Sequence, residues 1–203
     1  MSGDFPALAV LAGGKGLRMG GINKAALQLG RQTFLEHIAR EFAFFPEKLY
    51  LGGASAALLP GFSGLGDVRP GLGPMGGLCA ALAACRSPVV FAVACDMPLV
   101  TRRAAEQLMA AMVSARCDAA FMMTDHGIEP LCALYSKNCL KYFRQMIDEG
   151  DYALRHIAAR VRWVGVRPDD PRQLLNVNTP ADYSELQVAW PLGAPRGGGK
   201  PRP

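Results

Sequence analysis

The 203-residue sequence contains no apolar run of the roughly 18 residues needed to cross a bilayer. Its opening, MSGDFPALAV, lacks the basic segment, apolar stretch and small-residue cleavage site of a secretory leader. No membrane association is expected, and the cytoplasm is the expected location. The six cysteines (Cys79, Cys85, Cys95, Cys117, Cys132 and Cys139) form no C-x-x-C pair. None of the three histidines stands at ligand spacing from them. That excludes a zinc-ribbon or disulfide framework and leaves buried, reduced thiols. A strongly charged body is also missing. The net charge is +5, and Arg196, Lys200 and Arg202 in the last stretch carry three of those charges. Nucleic-acid binding by the folded part is therefore not expected. No internal repeat is present.

What is present is a large apolar fraction, half of all residues. It suits one α/β domain over residues 1–190, followed by a basic Gly/Pro-rich tail, 191–203, expected to be disordered. Apolar runs of strand length alternate with segments of helical period. FPALAVLA (5–12), KLYLG (48–52), PVVFAVAC (88–95), CDAAFMM (117–123) and VRWVGV (161–166) read as strands. TFLEHIAREFAF (33–44), GGLCAALAAC (76–85), residues 101–115, and segments near 138–148 and 152–160 read as helices. Thr33 with Glu36, and Thr179 with Pro180 and Asp182, carry the capping-box pattern at two helix starts. Thr101 is the expected cap of the helix from 101. IEPLCALYS reads as a possible β-ribbon. Continuous apolar strands alternating with helices predict a doubly wound, mostly parallel sheet covered on both faces. Such sheets bind ligands beyond the carboxyl ends of their strands.

The first of those ends is unusual. From Gly13 to Lys24 the chain holds five glycines and three cations (Lys15, Arg18 and Lys24) with no acid. Glycines such as Gly13 and Gly14 let backbone N–H groups close around an anion, and the cations suit phosphate oxygens. A polyphosphate site is implied. The run is not a P-loop, because no Gly-Lys is followed by Ser or Thr. It is not a dinucleotide fingerprint, because Met19 stands where the third glycine belongs. The run PVVFAVA ends in Cys95-Asp96-Met97-Pro98. One carboxylate beside phosphates is a natural Mg²⁺ ligand. Between these lies DVRPGLGPMGG (67–77), a second glycine-rich loop entering a helix. Asn176 and Asn178 alternate on one face before the last helix. They either order that turn or face a substrate. His37 reads as structural, His126 as a loop residue and Arg155 as surface.

LAGGKGLRMG with a downstream lysine, DVRPGLGPMGG, CDMPL, EPLCALYS and NVNTP, in this order from Ala7 to Leu186, resemble the MobA-like nucleotidyltransferases, and within them the guanylyltransferase branch. The resemblance implies a Rossmann-like three-layer α/β/α sandwich. It implies a Mg²⁺-dependent transfer of GMP from GTP to the terminal phosphate of molybdopterin or molybdenum cofactor, with pyrophosphate released. Carried onto this sequence, Leu11, Ala12 and Gly13 would meet the nucleotide through backbone, and Arg18 and Lys24 would hold its phosphates. Asp67 would lie near base and ribose, and Gly73 and Gly76 would line the nucleoside pocket. Asp96 would bind Mg²⁺, and Asn176 and Asn178 would face the pterin. Molybdoenzymes or their chaperones are the partners it suggests.

Two positions depart from the family pattern. Asn23 replaces the usual acid before the phosphate lysine, and Gly52-Gly53 replaces an asparagine after the second strand. The alternatives are a cytidylyltransferase of the same cofactor, another small-molecule nucleotidyltransferase, and a noncatalytic nucleotide-binding protein that delivers cofactor. L-A-G-G goes with guanine in this family, which favours GTP.

Overall fold

Five consecutive residues, Ala7–Leu11, form β1, and every one is buried. A strand without a single polar side chain must be covered on both faces, and it sets the architecture. In the computed structural model, residues 5–12, 24–52, 60–66 and 71–190 are described. The tail expected over 191–203 lies outside them.

Eight further strands follow: β2 (Gln28–Leu29), β3 (Gln32–Thr33), β4 (Lys48–Leu51), β5 (Ser63–Gly64), β6 (Val89–Ala94), β7 (Ala119–Thr124), β8 (Gly127–Ser136) and β9 (Trp163–Val166). β2 and β3 make a small separate hairpin, and the other seven form one sheet in the order β5-β4-β1-β6-β8-β7-β9. β1 runs parallel to β4 and β6, β4 to β5, and β7 to β9. Only β8 is reversed, antiparallel to β6 and β7. The reason is local. Two residues, Asp125 and His126, separate β7 from β8, a loop that can only make a hairpin. The possible ribbon at IEPLCALYS is this reversed strand without its first residue, Gly127.

Among the described residues there are five α-helices, α1 (Phe34–Glu41), α2 (Pro74–Ala84), α3 (Arg102–Ala115), α4 (Cys139–Asp148) and α5 (Pro180–Ala189), and the first four cover the sheet. Alternate strand residues feed two cores. Ala7, Ala9, Leu11, Val90 and Ala92 pack with residues of α2 and α4, and Leu8, Val10, Phe91 and Val93 pack with residues of α1 and α3. The first core is built on small residues, which lets α2 approach closely. The second is aromatic: the Phe45 and Phe91 rings stack at 5.8 Å with Phe42 edge-on to both. Burying each such ring contributes about 1.5–3 kcal/mol. A third cluster (Leu29, Phe34, Leu99, Val177 and Leu186) holds α5 to the β2–β3 hairpin.

The capping boxes at Thr33/Glu36 and Thr179/Asp182 are present. Two local expectations are corrected. Thr101 is the N-cap residue of α3, but its hydroxyl makes no cap bond; it donates to Gln173 Oε1 at 3.0 Å. The Arg102 N–H goes instead to Glu41 Oε1 at 2.7 Å, so α1 caps α3. The helix expected over 152–160 is a 3-10 segment, Leu154–Ala159. Side chains engage it at both ends: Asp151 binds His156 Nδ1 at 2.9 Å, and Trp163 Nε1 donates to the Ala158 carbonyl at 3.1 Å.

Candidate functional site

The carboxyl ends of β1, β4 and β6 lie side by side and are joined by main chain beyond the last ladder pairs. Ala12 N donates to Leu51 O at 2.8 Å and Cys95 N to Leu11 O at 3.0 Å. Val177 N donates to Asp96 O at 2.9 Å, which brings a segment eighty residues later in the chain to the same edge. Ala12, Gly52, Asp96 and the pair Asn176/Asn178 therefore share one rim of the sheet.

The nucleotide side of this rim is built from backbone and glycine. Leu11 is buried at the end of β1, and Ala12 is half-buried just beyond it. Gly77 in the first turn of α2 faces Leu51 and Leu11: a Cβ there would stand 3.3 and 3.4 Å from their Cδ2 atoms. The N-terminus of α2 thus sits directly on the exits of β1 and β4, and Gly76 beside it is buried. Gly73 is the N-cap residue, with φ +57 and ψ −145, a region essentially reserved for glycine, and no side chain caps the helix. Pro74 at the first position has no N–H and Gly76 N donates to the Gly73 carbonyl at 3.2 Å, so what this helix start offers an anion is its positive dipole end. Gly52 is fixed by packing. A Cβ would come within 2.6 Å of the Tyr50 hydroxyl and 2.7 Å of the Ala12 Cβ. The position at which the family pattern has asparagine is closed here by a buried tyrosine. Lys24 opens a short 3-10 turn, Lys24–Ala26, next to this edge in sequence. Gly13, Gly14, Lys15, Arg18, Asn23 and Asp67 lie outside the described residues, as does the side chain of Lys24.

On the other side of β6, side chains converge. Asp96 is half-buried directly after the strand. β6 pairs with β8 up to Val93↔Cys132, and Asp96, three residues on, is near enough to Glu129 for its charge to be felt there. Glu129 is the functional candidate that reading the sequence missed. Burial pushes its carboxyl pKa up first, and the negative charge of Asp96 adds to the rise. Hydrogen bonds from the Leu131 N–H and the Asn176 side chain act the other way. The available signal was an acid inside the otherwise apolar run IEPLCALY.

A bulge aims this carboxylate. Pairing of β7 with β8 jumps from Phe121↔Ala133 to Met122↔Glu129, which leaves Pro130, Leu131 and Cys132 unpaired against β7. Proline cannot donate to a ladder, so a bulge is where a strand tolerates it. The bulge's polar groups are satisfied locally. The Tyr135 hydroxyl donates to the Pro130 carbonyl at 2.7 Å, and the Leu131 N–H donates to Glu129 Oε1 at 3.2 Å.

Val177 is buried between half-exposed Asn176 and Asn178, as strand-like alternation requires. The Asn178 and Thr179 N–H groups both donate to Asp182 Oδ2 at 2.8 Å, so this segment is locked onto the start of α5. Further along the rim, Met123, Thr124, His126, Arg167 and Leu174 line a cavity of about 250 Å³ at the ends of β7 and β9. His126 is exposed at the hairpin turn, Arg155 is exposed, and His37 is buried edge-on to Trp190 with ring centroids 4.9 Å apart. Among the described residues no cluster of three or more His, Cys, Asp or Glu is placed to hold a metal. The donor set at the rim is instead one or two hard carboxylates, which fits Mg²⁺ shared with phosphate oxygens and water. No helix among the described residues is long and apolar enough to cross a membrane.

Comparison with known proteins points the same way. The profile of the MobA-like NTP transferase domain matches residues 8–165. A Pelotomaculum thermopropionicum protein named "Probable molybdenum cofactor guanylyltransferase" is 30% identical over 188 residues, covering 88% of this chain and 90% of its own. A Deinococcus radiodurans protein of the same name is 31% identical over 178 residues, covering 88% and 92%. Among solved structures, molybdopterin-guanine dinucleotide biosynthesis protein A from Archaeoglobus fulgidus shares the fold with a TM-score of 0.79 at 23% identity, covering 90% of this chain and 97% of that one.

Proposed function

This chain belongs to the MobA-like NTP transferase family, and from that premise we propose that it transfers GMP from GTP to the terminal phosphate of molybdopterin or molybdenum cofactor. The observation that carries the reading is Asp96. It stands at the exit of β6, with main-chain bonds from its segment to the exit of β1 and to the Asn176–Asn178 segment.

In this reading the triphosphate lies against Gly13, Gly14 and Arg18. The backbone of Leu11 and Ala12, with Gly73 and Gly76, lines the nucleoside, and Asp67 lies near base and ribose. Gly52 takes the place of an asparagine contact with backbone alone. Asp96 would hold Mg²⁺, which would supply charge neutralisation to the phosphates. Asn176 and Asn178 face the pterin-bearing acceptor. An oxygen of the acceptor's terminal phosphate attacks the α-phosphorus of GTP. The bond from that phosphorus to the bridging oxygen breaks, and pyrophosphate leaves with the electron pair. Lys24 and Arg18 offset the repulsion between two anionic reactants. The acceptor phosphate is already ionised, so no side chain needs to take a proton. This accounts for a rim with no nucleophile–base pair among its described residues.

The test is calorimetry with GTP, CTP, ATP and UTP, each with and without Mg²⁺, on wild type and Asp96→Asn. Selective, metal-dependent GTP binding that the variant loses is expected. Turnover of the variant with molybdopterin is expected to fall by about 10²–10³-fold, the scale of one lost electrostatic group. Preference for CTP would move the reading to cytidylyl transfer. No nucleotide binding by wild type would overturn the reading, and GTP binding without turnover would move it to the noncatalytic delivery protein.

A further inference from the structure

Two segments of the rim are bonded to each other at both ends and close a ring. The first runs from Asp96 to Thr101, the second from Gln173 to Val177. At one end Val177 N donates to the Asp96 carbonyl at 2.9 Å. At the other the Thr101 hydroxyl donates to Gln173 Oε1 at 3.0 Å. Leu99 and Val177, one from each segment, pack in the same buried cluster. The second bond is the one local chemistry does not call for. A threonine at this position ordinarily accepts from an N–H of the first helical turn. Here its hydroxyl makes no such bond, and Glu41 takes the Arg102 N–H instead. The hydroxyl is thereby released to reach across the ring. Gln173 is held to receive it. It lies in the 3-10 turn Pro171–Leu174, which Asp170 caps through the Arg172 N–H at 3.0 Å and which Leu174 anchors in the core shared by α1 and α3. A further tie to α3, from Asp169 to Arg103 and to Gln107 at 3.0 Å, is exposed to solvent. Exposed pairs of that kind hold little.

A single bond between two segments leaves a rotation about it. A second bond, at the far end of both segments, removes that rotation. Asn176 and Asn178 flank Val177, so they stand at the pivot. We infer that Thr101 and Gln173 are positioning residues: their hydrogen bond fixes the angle at which the Asn176–Asn178 segment meets Asp96, and with it the line along which the acceptor phosphate approaches the α-phosphorus of GTP. The inference rests on the proposed function, in which Asp96 serves the nucleotide and the two asparagines serve the acceptor. A small misalignment of an in-line attack costs rate and not affinity, because each substrate keeps its own contacts. Thr101 and Gln173 act through the two segments and not on a substrate, so their effect falls on the rate of transfer at saturation.

The first measurement needs no substrate. Thr101→Val keeps the shape of the side chain and removes the hydroxyl, and the start of α3 keeps its bond to Glu41. Hydrogen exchange at the Val177 amide is expected to be about tenfold faster in this variant, the scale of one lost hydrogen bond, and to return to the wild-type rate in Thr101→Ser. Gln173→Met removes the bond from its other side and is expected to match Thr101→Val. Exchange unchanged in both would overturn the coupling of the two bonds, whatever reaction the protein catalyses. The second measurement is the single-turnover rate of GMP transfer at saturating GTP and molybdopterin. Thr101→Val and Gln173→Met are each expected to lower it about tenfold, and the double variant by no more than either. GTP affinity by calorimetry and KM for molybdopterin are expected to hold. Thr101→Ser is expected to restore the rate. Asp169→Ala, which cuts the exposed tie of the same segment to α3, is expected to leave it unchanged. A raised KM at an unchanged rate would mean that the segment binds the acceptor without aligning it. A loss in Asp169→Ala as large as in Thr101→Val would mean that general anchoring matters and not this bond. Either outcome overturns the inference. A wild type that binds GTP but leaves molybdopterin unreacted overturns the proposed function, while the exchange result still decides whether the Thr101–Gln173 bond holds the ring.

Discussion

The two sides of the rim solve the same problem with different materials. Around β1, β4 and α2 the walls are backbone: Ala12, Gly52, Gly73, Gly76 and Gly77, with side chains kept out so that main chain can approach a ligand. Beyond β6 the walls are side chains: Asp96, Glu129 and Asn176, from three separate segments that meet through strand register and a bulge. A backbone site must be continuous in the chain, because neighbouring N–H groups make it. A side-chain site has no such requirement. The first kind tolerates almost no added atoms, and the second tolerates shape changes but not the loss of a hydrogen bond.

Substitutions on each side break this contrast in order of size. The largest loss of stability is expected on the backbone side, from Gly52→Asn. The new Cβ must displace either the Tyr50 ring or Ala12, both below 3 Å from its ideal position. Overpacking of this kind costs about 1–3 kcal/mol. Thermal melts should show a drop of roughly 2–4 °C for each kcal/mol in a chain of this size. A variant as stable as wild type would mean that this wall is not closed by Tyr50. Gly73→Ala separates strain from crowding. No atom lies within 4 Å of a Cβ there, but φ is +57. The cost is then purely conformational, about 1–3 kcal/mol. Weaker GTP binding is expected with it, because α2 would start in a different geometry.

On the side-chain side, Tyr135→Phe removes one oxygen and no volume. The Pro130 carbonyl loses its 2.7 Å partner inside the protein. Orphaning a buried acceptor costs about 1–3 kcal/mol. The bulge it supports is expected to loosen, so KM for the acceptor should rise while GTP affinity holds. Equal loss of both would show that the two sides are not independent.

The same contrast explains what was legible in the sequence. The sheet, the α/β class and the two capping boxes followed from periodicity and local chemistry, because those signals are carried by residues close in the chain. The glycine-rich runs and Asp96 stood out as candidates for the same reason. Glu129 was not, because nothing near it in sequence reports that Asp96 and Asn176 will stand beside it. Only the reversed β8, and the three residues by which the bulge shifts its register, place it there. The exchange of Thr101 for Glu41 at the start of α3 is the same lesson: the better partner came from another helix. Tyr50 beneath Gly52 is also long-range in effect, since the glycine reads as a lost contact until the ring under it is seen.

The smallest effect tests whether α2 and α4, packed in one core, open together. All six cysteines are free, and five are buried. Burial pushes the thiol of Cys79 in α2 up to about 11 and that of Cys139 in α4 up to about 12. At pH 8 both are neutral thiols in the folded state, and only the thiolate attacks a disulfide reagent. Slow labelling limited by unfolding is therefore expected, with half-exposed Cys117 reacting first. The folded pKa values lie above the unfolded value of about 8.5. The stabilisation they carry is thus fully present below that pH and is lost as pH rises from about 9 towards 11–12. Denaturant midpoints should fall over that range and stay flat between pH 7 and 8. If Cys79 and Cys139 label at the same rate in native buffer, the protein opens as one unit. If Cys139 labels much faster, α4 opens alone, at the end of the sheet away from the rim, where its thiol meets the Asp118 carbonyl, and that end has the lower local stability.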